Sequence, residues 1–196
     1  NLIRDQGLRA IEIPVCQATG LSIEALETAL AKHPIKACVV QPNFQNPVGC
    51  VMPSKNKKRL AKLSNAHEFT IIEDDVYGDL GHSGERPSSI GLHGGDVIHC
   101  GSTSKTVAPG LRVGWIVPGT HLKKIKHLKT MQCPWNATLS ELMLSEFFER
   151  GSYDRHLRRI RKIHASQCAK MHDKIIRHFP QSCKVTEPLG GFVLWL

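Results

Sequence analysis

A lysine set among hydroxyls, glycines and an arginine is the pattern in this chain best suited to covalent chemistry. It runs Gly101-Ser102-Thr103-Ser104-Lys105-Thr106-Val107-Ala108-Pro109-Gly110-Leu111-Arg112. A lysine amine kept neutral in a desolvated, cation-bearing pocket condenses with an aldehyde to a Schiff base. Hydroxyls, backbone N–H groups and a guanidinium beside it hold a phosphate. A second run, Phe69-Thr70-Ile71-Ile72-Glu73-Asp74-Asp75-Val76-Tyr77, passes from strand-favouring residues into acids. There the Asp74 carboxylate can keep a ring nitrogen protonated, and Tyr77, three residues on, can donate to a ring oxygen. A third run, Val39-Val40-Gln41-Pro42-Asn43-Phe44-Gln45-Asn46-Pro47-Val48-Gly49, ends a β-branched stretch in polar and turn residues. Asn46 is a neutral donor for the same ring oxygen, and Pro47 is a candidate for a cis peptide bond. A lysine amine beside phosphate-binding groups is what a pyridoxal 5′-phosphate site needs.

Each run sits at the end of an apolar stretch, where parallel strands of an α/β sheet deliver ligand-binding side chains. The alternation predicts strands over 8–15, 35–41, 69–74, 97–101 and 112–117. It predicts helices over 21–33 and from Pro53-Ser54 to about His67. Residues 78–95, rich in glycine and proline, read as a long loop with one short helical turn. Helices are expected over 122–131 and 137–149, then one long basic helix over 153–178 that Pro180 ends. Val185 and 192–196 read as two strands of a new sheet joined through Pro188-Leu189-Gly190-Gly191. The expected fold class is α/β: a mostly parallel sheet flanked by helices, followed by the start of a small α+β carboxyl-terminal domain. The division falls near residue 150, giving 1–150 and 151–196.

Asn46-Pro47-x-Gly49, Asp74-x-x-Tyr77, and Ser102-x-Ser104-Lys105 with Arg112, in that order, resemble the class I/II aminotransferases of fold type I. The resemblance implies that Lys105 forms the Schiff base with pyridoxal 5′-phosphate and moves the substrate proton. It implies that Asp74 pairs with the pyridine nitrogen and that Asn46 and Tyr77 contact the 3′-oxygen. Ser102, Ser104 and Arg112 bind the phosphate, and Val76 packs against one ring face. Asp75 is not the nitrogen partner in this register. The runs around Gly84-Glu85-Arg86-Pro87, Ala108-Pro109-Gly110-Leu111-Arg112 and Gly151-Ser152-Tyr153-Asp154-Arg155-His156 look like the MocR branch of GntR-type bacterial regulators. That likeness implies an effector-sensing domain whose DNA contacts belong to an amino-terminal winged helix outside this sequence. The alternative is a stand-alone transaminase acting on amino acids or amines and 2-oxo acids. Either implies a homodimer. The family's other phosphate loop, its ring-stacking aromatic and its substrate-carboxylate arginine are not found in these residues, so the segment alone need not catalyse.

The 196 residues suffice for one sizeable core, and 41% hydrophobic with 22% charged content is ordinary for a globular chain. No apolar stretch reaches membrane-spanning length and no signal peptide is visible, so a cytoplasmic location is expected. The sequence opens without methionine and closes on the strand-like Phe192-Val193-Leu194-Trp195-Leu196, which reads as a piece of a longer chain. Seven cysteines, an odd number without a Cys-x-x-Cys pair, argue against a disulfide framework or zinc ribbon. The net charge of +9 comes mainly from runs near 55–59, 123–129 and 155–162, read as solvated helix faces rather than a nucleic-acid surface. His156, His164 and His172 fall eight apart on the long helix and read as a solvated stripe; no metal site is expected.

Overall fold

Four strands form the sheet that carries the site. In a computed structural model, which describes residues 2–196, helix α1 (Leu2–Asp5) comes first. A two-residue antiparallel ladder, β1 (Val15–Cys16) with β2 (Gly20–Leu21), leads into α2 (Ile23–Lys32). Next come β3 (Ala37–Val40), α3 (Ser54–His67), β4 (Thr70–Asp74) and β5 (Val97–Ser102). After the lysine loop follow β6 (Gly114–Val117), α4 (Leu122–Gln132), α5 (Thr138–Glu149) and α6 (Ser152–His178). The sheet order is β3-β4-β5-β6, with the first three parallel and β6 antiparallel to β5. This is a mixed, mostly parallel sheet flanked by helices.

Register divides the sheet into two faces, because successive side chains alternate. Cys38 aligns with Ile71, Val40 with Glu73, Ile71 with Val97, and Glu73 with His99. On that face Cys38, Val40 and Ile71 join Ile23 and Leu26 of α2 and Leu60 and Ala61 of α3 in one buried cluster. Each fully buried aliphatic side chain there contributes roughly 1.5–3 kcal/mol. Helix α2 starts where Ser22 accepts the Ala25 N–H at 3.2 Å, satisfying one of the unpaired donors of the first turn. On the opposite face Val39 is 61% exposed.

Expectations for several elements are corrected. Residues 8–14 form no strand; only Val15–Cys16 pairs with β2, and a single backbone bond, Ser22 N–H on Pro14 O at 2.9 Å, precedes that ladder. The strand expected from Arg112 begins at Gly114, because Pro109–Leu111 makes a 3-10 turn and Arg112 takes a left-handed φ of 54°. The loop before β5 holds two 3-10 turns, Gly78–Leu80 and Ile90–His93, instead of one.

The strands expected at Val185 and 192–196 are not formed. Thr186 N–H reaches the Trp195 carbonyl at 2.9 Å, and Trp195 N–H reaches Thr186 Oγ1 at 3.0 Å, but no ladder extends from them. This segment instead docks on the loop after β4. Gly191 N–H donates to Leu80 O at 3.0 Å, His82 N–H to Leu189 O at 2.9 Å, and Gly81 bridges Gly190. A Cβ on Gly190 would lie 2.4 Å from the Phe44 ring. Gly190→Ala is therefore expected to destabilise the protein by about 1–3 kcal/mol, read as a lower urea midpoint with unchanged slope.

Candidate functional site

The carboxyl ends of β3, β4 and β5 bring three of the sequence motifs to one face. Asp74 aligns with Cys100, so its side chain shares a face with Cys100 and, two residues on, Ser102. Gln41, next along the chain from Val40, falls on the same face. Its Nε2 donates to Asp74 Oδ2 at 2.6 Å, and its Oε1 accepts the Asn46 N–H at 3.1 Å. Asp74 Oδ1 lies 3.4 Å from the Val76 N–H. The Asn46–Pro47 bond is cis, as the turn pattern anticipates. The turn is closed by Gln45 N–H on Cys50 O at 3.0 Å, while the Gln45 carboxamide bonds Asn46 O and Val48 N–H. Asn46 itself is exposed.

The lysine loop is tied down through Thr103. Its N–H and hydroxyl both reach the Val113 carbonyl at 3.2 Å, and its own carbonyl accepts from Val107 and Ala108. Ser102 Oγ donates to Val113 O at 3.1 Å and lies 2.9 Å from Ser104 Oγ. Both hydroxyls can rotate their hydrogens toward an anion. Arg112 closes the loop, exposed, with Nη1 on Pro109 O at 3.3 Å. Lys105 Nζ stands 5.8 Å from the centroid of the Tyr77 ring. Contrary to the expectation of a desolvated pocket, Lys105 is exposed in this chain. Tyr77 is 4% exposed, packed with Phe44, Leu80 and Leu157, and Val76 leans on that same cluster. From α6, His156 Nε2 meets the Thr106 carbonyl at 2.8 Å, and Tyr153 donates to Asp79 Oδ2 at 2.9 Å.

Behind this face lies a buried polar network that sequence reasoning largely missed. Asp75, read from the sequence as not the nitrogen partner, accepts from Asn43 Nδ2 at 2.7 Å and pairs with Arg86 Nη2 at 2.5 Å. Burial raises its carboxyl above the ordinary aspartate range, and the Asn43 N–H and Arg86 charge oppose that rise. Lys57, 1% exposed, donates to Asn43 Oδ1 at 2.7 Å and Ser88 O at 2.6 Å. Glu73, wholly buried, accepts from Ser89 Oγ at 2.5 Å and from Ile90 N–H at 3.1 Å, with His99 Nδ1 at 3.4 Å. Burial pushes the Glu73 carboxyl up, but its donors win and hold it below the usual range. The Glu73 carboxylate's pull on His99 outweighs burial and raises that imidazole.

A pH window follows. The His99 contribution is complete below the ordinary imidazole value of 6.5 and drains as pH rises through its higher folded value. The Glu73 contribution is complete above the ordinary 4.5 and drains as pH falls through its lower folded value. The stability difference between the native protein and a His99→Gln variant should thus be largest between those two values, at about 1.5 kcal/mol. Urea melts at intervals from pH 5 to 9 check this, and a difference that stays flat with pH would contradict it.

The residue types gathered here are those a pyridoxal phosphate site needs. A carboxylate, an amine, two adjacent hydroxyls and a guanidinium stand at the strand ends where open α/β sheets bind ligands. Gln41 is the residue at this face that the motifs did not reveal. Its signal was its place one step past the β3 apolar run, in register with Asp74.

The family model for aminotransferase class I and II matches residues 1–196. The chain is 40% identical over 200 residues to an uncharacterised HTH-type transcriptional regulator of Escherichia coli (strain K12), YjiR, covering all of this chain and 42% of that protein. It is 32% identical over 193 residues to aromatic-amino-acid aminotransferase 1 of Thermococcus litoralis, covering 94% and 46%. Among solved structures, Pyrococcus horikoshii kynurenine aminotransferase in complex with PMP superposes with a TM-score of 0.86 at 30% identity, covering 92% and 46%. The chain therefore spans less than half the length of these relatives.

Proposed function

The chain belongs to the class I and II aminotransferases, and from that premise we propose that it forms part of a pyridoxal phosphate site serving an effector-sensing domain of a GntR/MocR-type regulator. When bound, the cofactor supplies an electron-withdrawing ring that stabilises negative charge on the α-carbon of an amino compound. Lys105 Nζ would hold the cofactor at its aldehyde and, when free, would carry a proton to and from the α-carbon of the amino compound. Asp74 holds a proton at the pyridine nitrogen. The Asn46 amide and Tyr77 hydroxyl donate to the 3′-oxygen. Ser102, Ser104 and Arg112 bind the phosphate. The ligands are amino acids or amines and 2-oxo acids, and the protein is a cytoplasmic homodimer that contacts DNA through a winged helix outside this sequence. We divide the chain at residue 150, just before α6.

The observation that carries the cofactor assignment is the Lys105 amine over the Tyr77 ring, on the loop that holds the Ser102–Ser104 hydroxyl pair. The regulator reading draws on the higher identity to the regulator, 40% against 32% for the transaminase. The test uses the intact gene product, loaded with pyridoxal phosphate and reduced with borohydride. Peptide mapping should find the fixed pyridoxyl mass on Lys105 and on no other lysine. A label on another lysine, or none, rejects the assignment. Rapid turnover with amino acids, together with no specific operator binding, would favour the stand-alone transaminase.

A further inference from the structure

We propose that Gln41 is a positioning residue that aims the Asp74 carboxylate and locks it to the Asn46 turn, an inference that rests on the cofactor reading above. The side-chain amide has only one orientation that satisfies both neighbours. Asp74 Oδ2 is an acceptor, so Nε2 must face it, at 2.6 Å. The Asn46 backbone N–H is a donor, so Oε1 must face it, at 3.1 Å. A flipped amide would set oxygen against carboxylate and N–H against N–H. One rigid planar group therefore fixes the rotation of a carboxylate at the end of β4 and the height of the turn after β3.

The two strands need this link. Ladder pairing between β3 and β4 ends at Val40 with Glu73, one residue short of the pair in question. Beyond it, Gln41 supplies by side chain the cross-strand bond that the backbone no longer makes. Asp74 has little else to hold it, for its other oxygen reaches the Val76 N–H at only 3.4 Å. The two side-chain hydrogen bonds of Gln41 go to Asp74 and Asn46, and its role acts through them.

The charged and titratable surroundings are few. Cys100 lies beside Asp74 on β5, and its thiol is raised by burial and then by the charges of Asp74 and Glu73. Glu73 and Asp75 point to the opposite face, where Ser89, His99, Asn43 and Arg86 engage them. The Gln45 side chain is committed to its own turn.

Two variants of the intact gene product test the proposal. Gln41→Met keeps the length and loses both hydrogen bonds. It should weaken pyridoxal phosphate affinity about tenfold, read by spectral titration, with the urea midpoint little changed. Gln41→Glu sets a second carboxylate against Asp74. At pH 8 it should bind the cofactor more weakly than the methionine variant. On acidification to about pH 5.5 its protonated carboxyl becomes a donor and affinity should return toward that of the native protein. Should Gln41→Met fail to fold, the glutamate variant compared at the two pH values carries the test. Native affinity in the methionine variant, or a glutamate variant whose deficit does not change with pH, overturns the proposal. If the native protein itself leaves Lys105 unlabelled, the cofactor reading falls first and takes this inference with it.

Discussion

Replacing Asp74 with alanine is expected to slow α-proton exchange of a bound amino compound by about 10²–10³-fold, the usual range when a preorganised electrostatic partner is removed. The measurement is loss of the substrate's α-proton signal in deuterium oxide, followed by proton NMR on the intact, cofactor-loaded gene product. The expectation comes from geometry. Asp74 is the acid of its run whose side chain shares a face with Cys100 and Ser102, while Glu73 and Asp75 turn away into the network behind the sheet. Without a carboxylate there, a proton at the ring nitrogen loses its partner and negative charge at the α-carbon loses its sink. Asp74→Asn sharpens the test. It keeps the shape and removes the charge, so it should fall nearly as far as alanine. Exchange at a near-native rate in either variant would remove Asp74 from the role assigned to it.

The sheet and the order of the site motifs were legible because both rest on local signals. Apolar runs of four to six residues ending in polar turns marked β3, β4 and β5 within a residue or two. Helix α3 was marked by the Pro53-Ser54 start and α6 by its unbroken length. Asp74 and Tyr77 lie at one strand end, and Ser102, Ser104 and Lys105 on one strand end and its loop, so the spacing within each group is local to the sequence. The exposure of Lys105 was not legible, since burial depends on what packs over a loop rather than on the loop's own residues. The 8–15 stretch failed for a related reason: alternation predicts a strand only where a neighbouring strand can accept its hydrogen bonds.

Gln41 and Lys57 were missed for a different physical reason. Their partners lie far along the chain, 33 residues away for Gln41 and Asp74, and 31 for Lys57 and Ser88. Nothing in local patterning distinguishes a lysine on a basic helix from one turned into the core. Lys57 was counted among a solvated basic run, yet it is 1% exposed while its neighbour Lys58 is exposed. Only the packing of α3 against the sheet reveals which lysine of the run points inward.

That inward lysine supports the second large effect. Lys57→Ala is expected to lower stability by about 3–5 kcal/mol, because it leaves two acceptors, the buried Asn43 Oδ1 and the part-buried Ser88 O, without their Lys57 donor. It also takes a positive charge away from Glu73 and Asp75, whose fields oppose the fall that burial imposes on the lysine's own pKa. For a folding unit of this length each kcal/mol shifts the melting temperature by about 2–4 °C, so a drop of roughly 10 °C is expected by differential scanning calorimetry. Lys57→Met separates packing from charge. Methionine refills much of the volume but offers no donor, so it should recover only the packing share of the loss. Complete recovery by methionine would mean that the Lys57 hydrogen bonds contribute little. The consequence for the site runs through Asn43, which Lys57 holds by one end and which holds Asp75 by the other. Asp75 is bonded to its neighbour Asp74 through the backbone, so loosening that anchor should also weaken pyridoxal phosphate binding, by less than the Asp74 substitutions do.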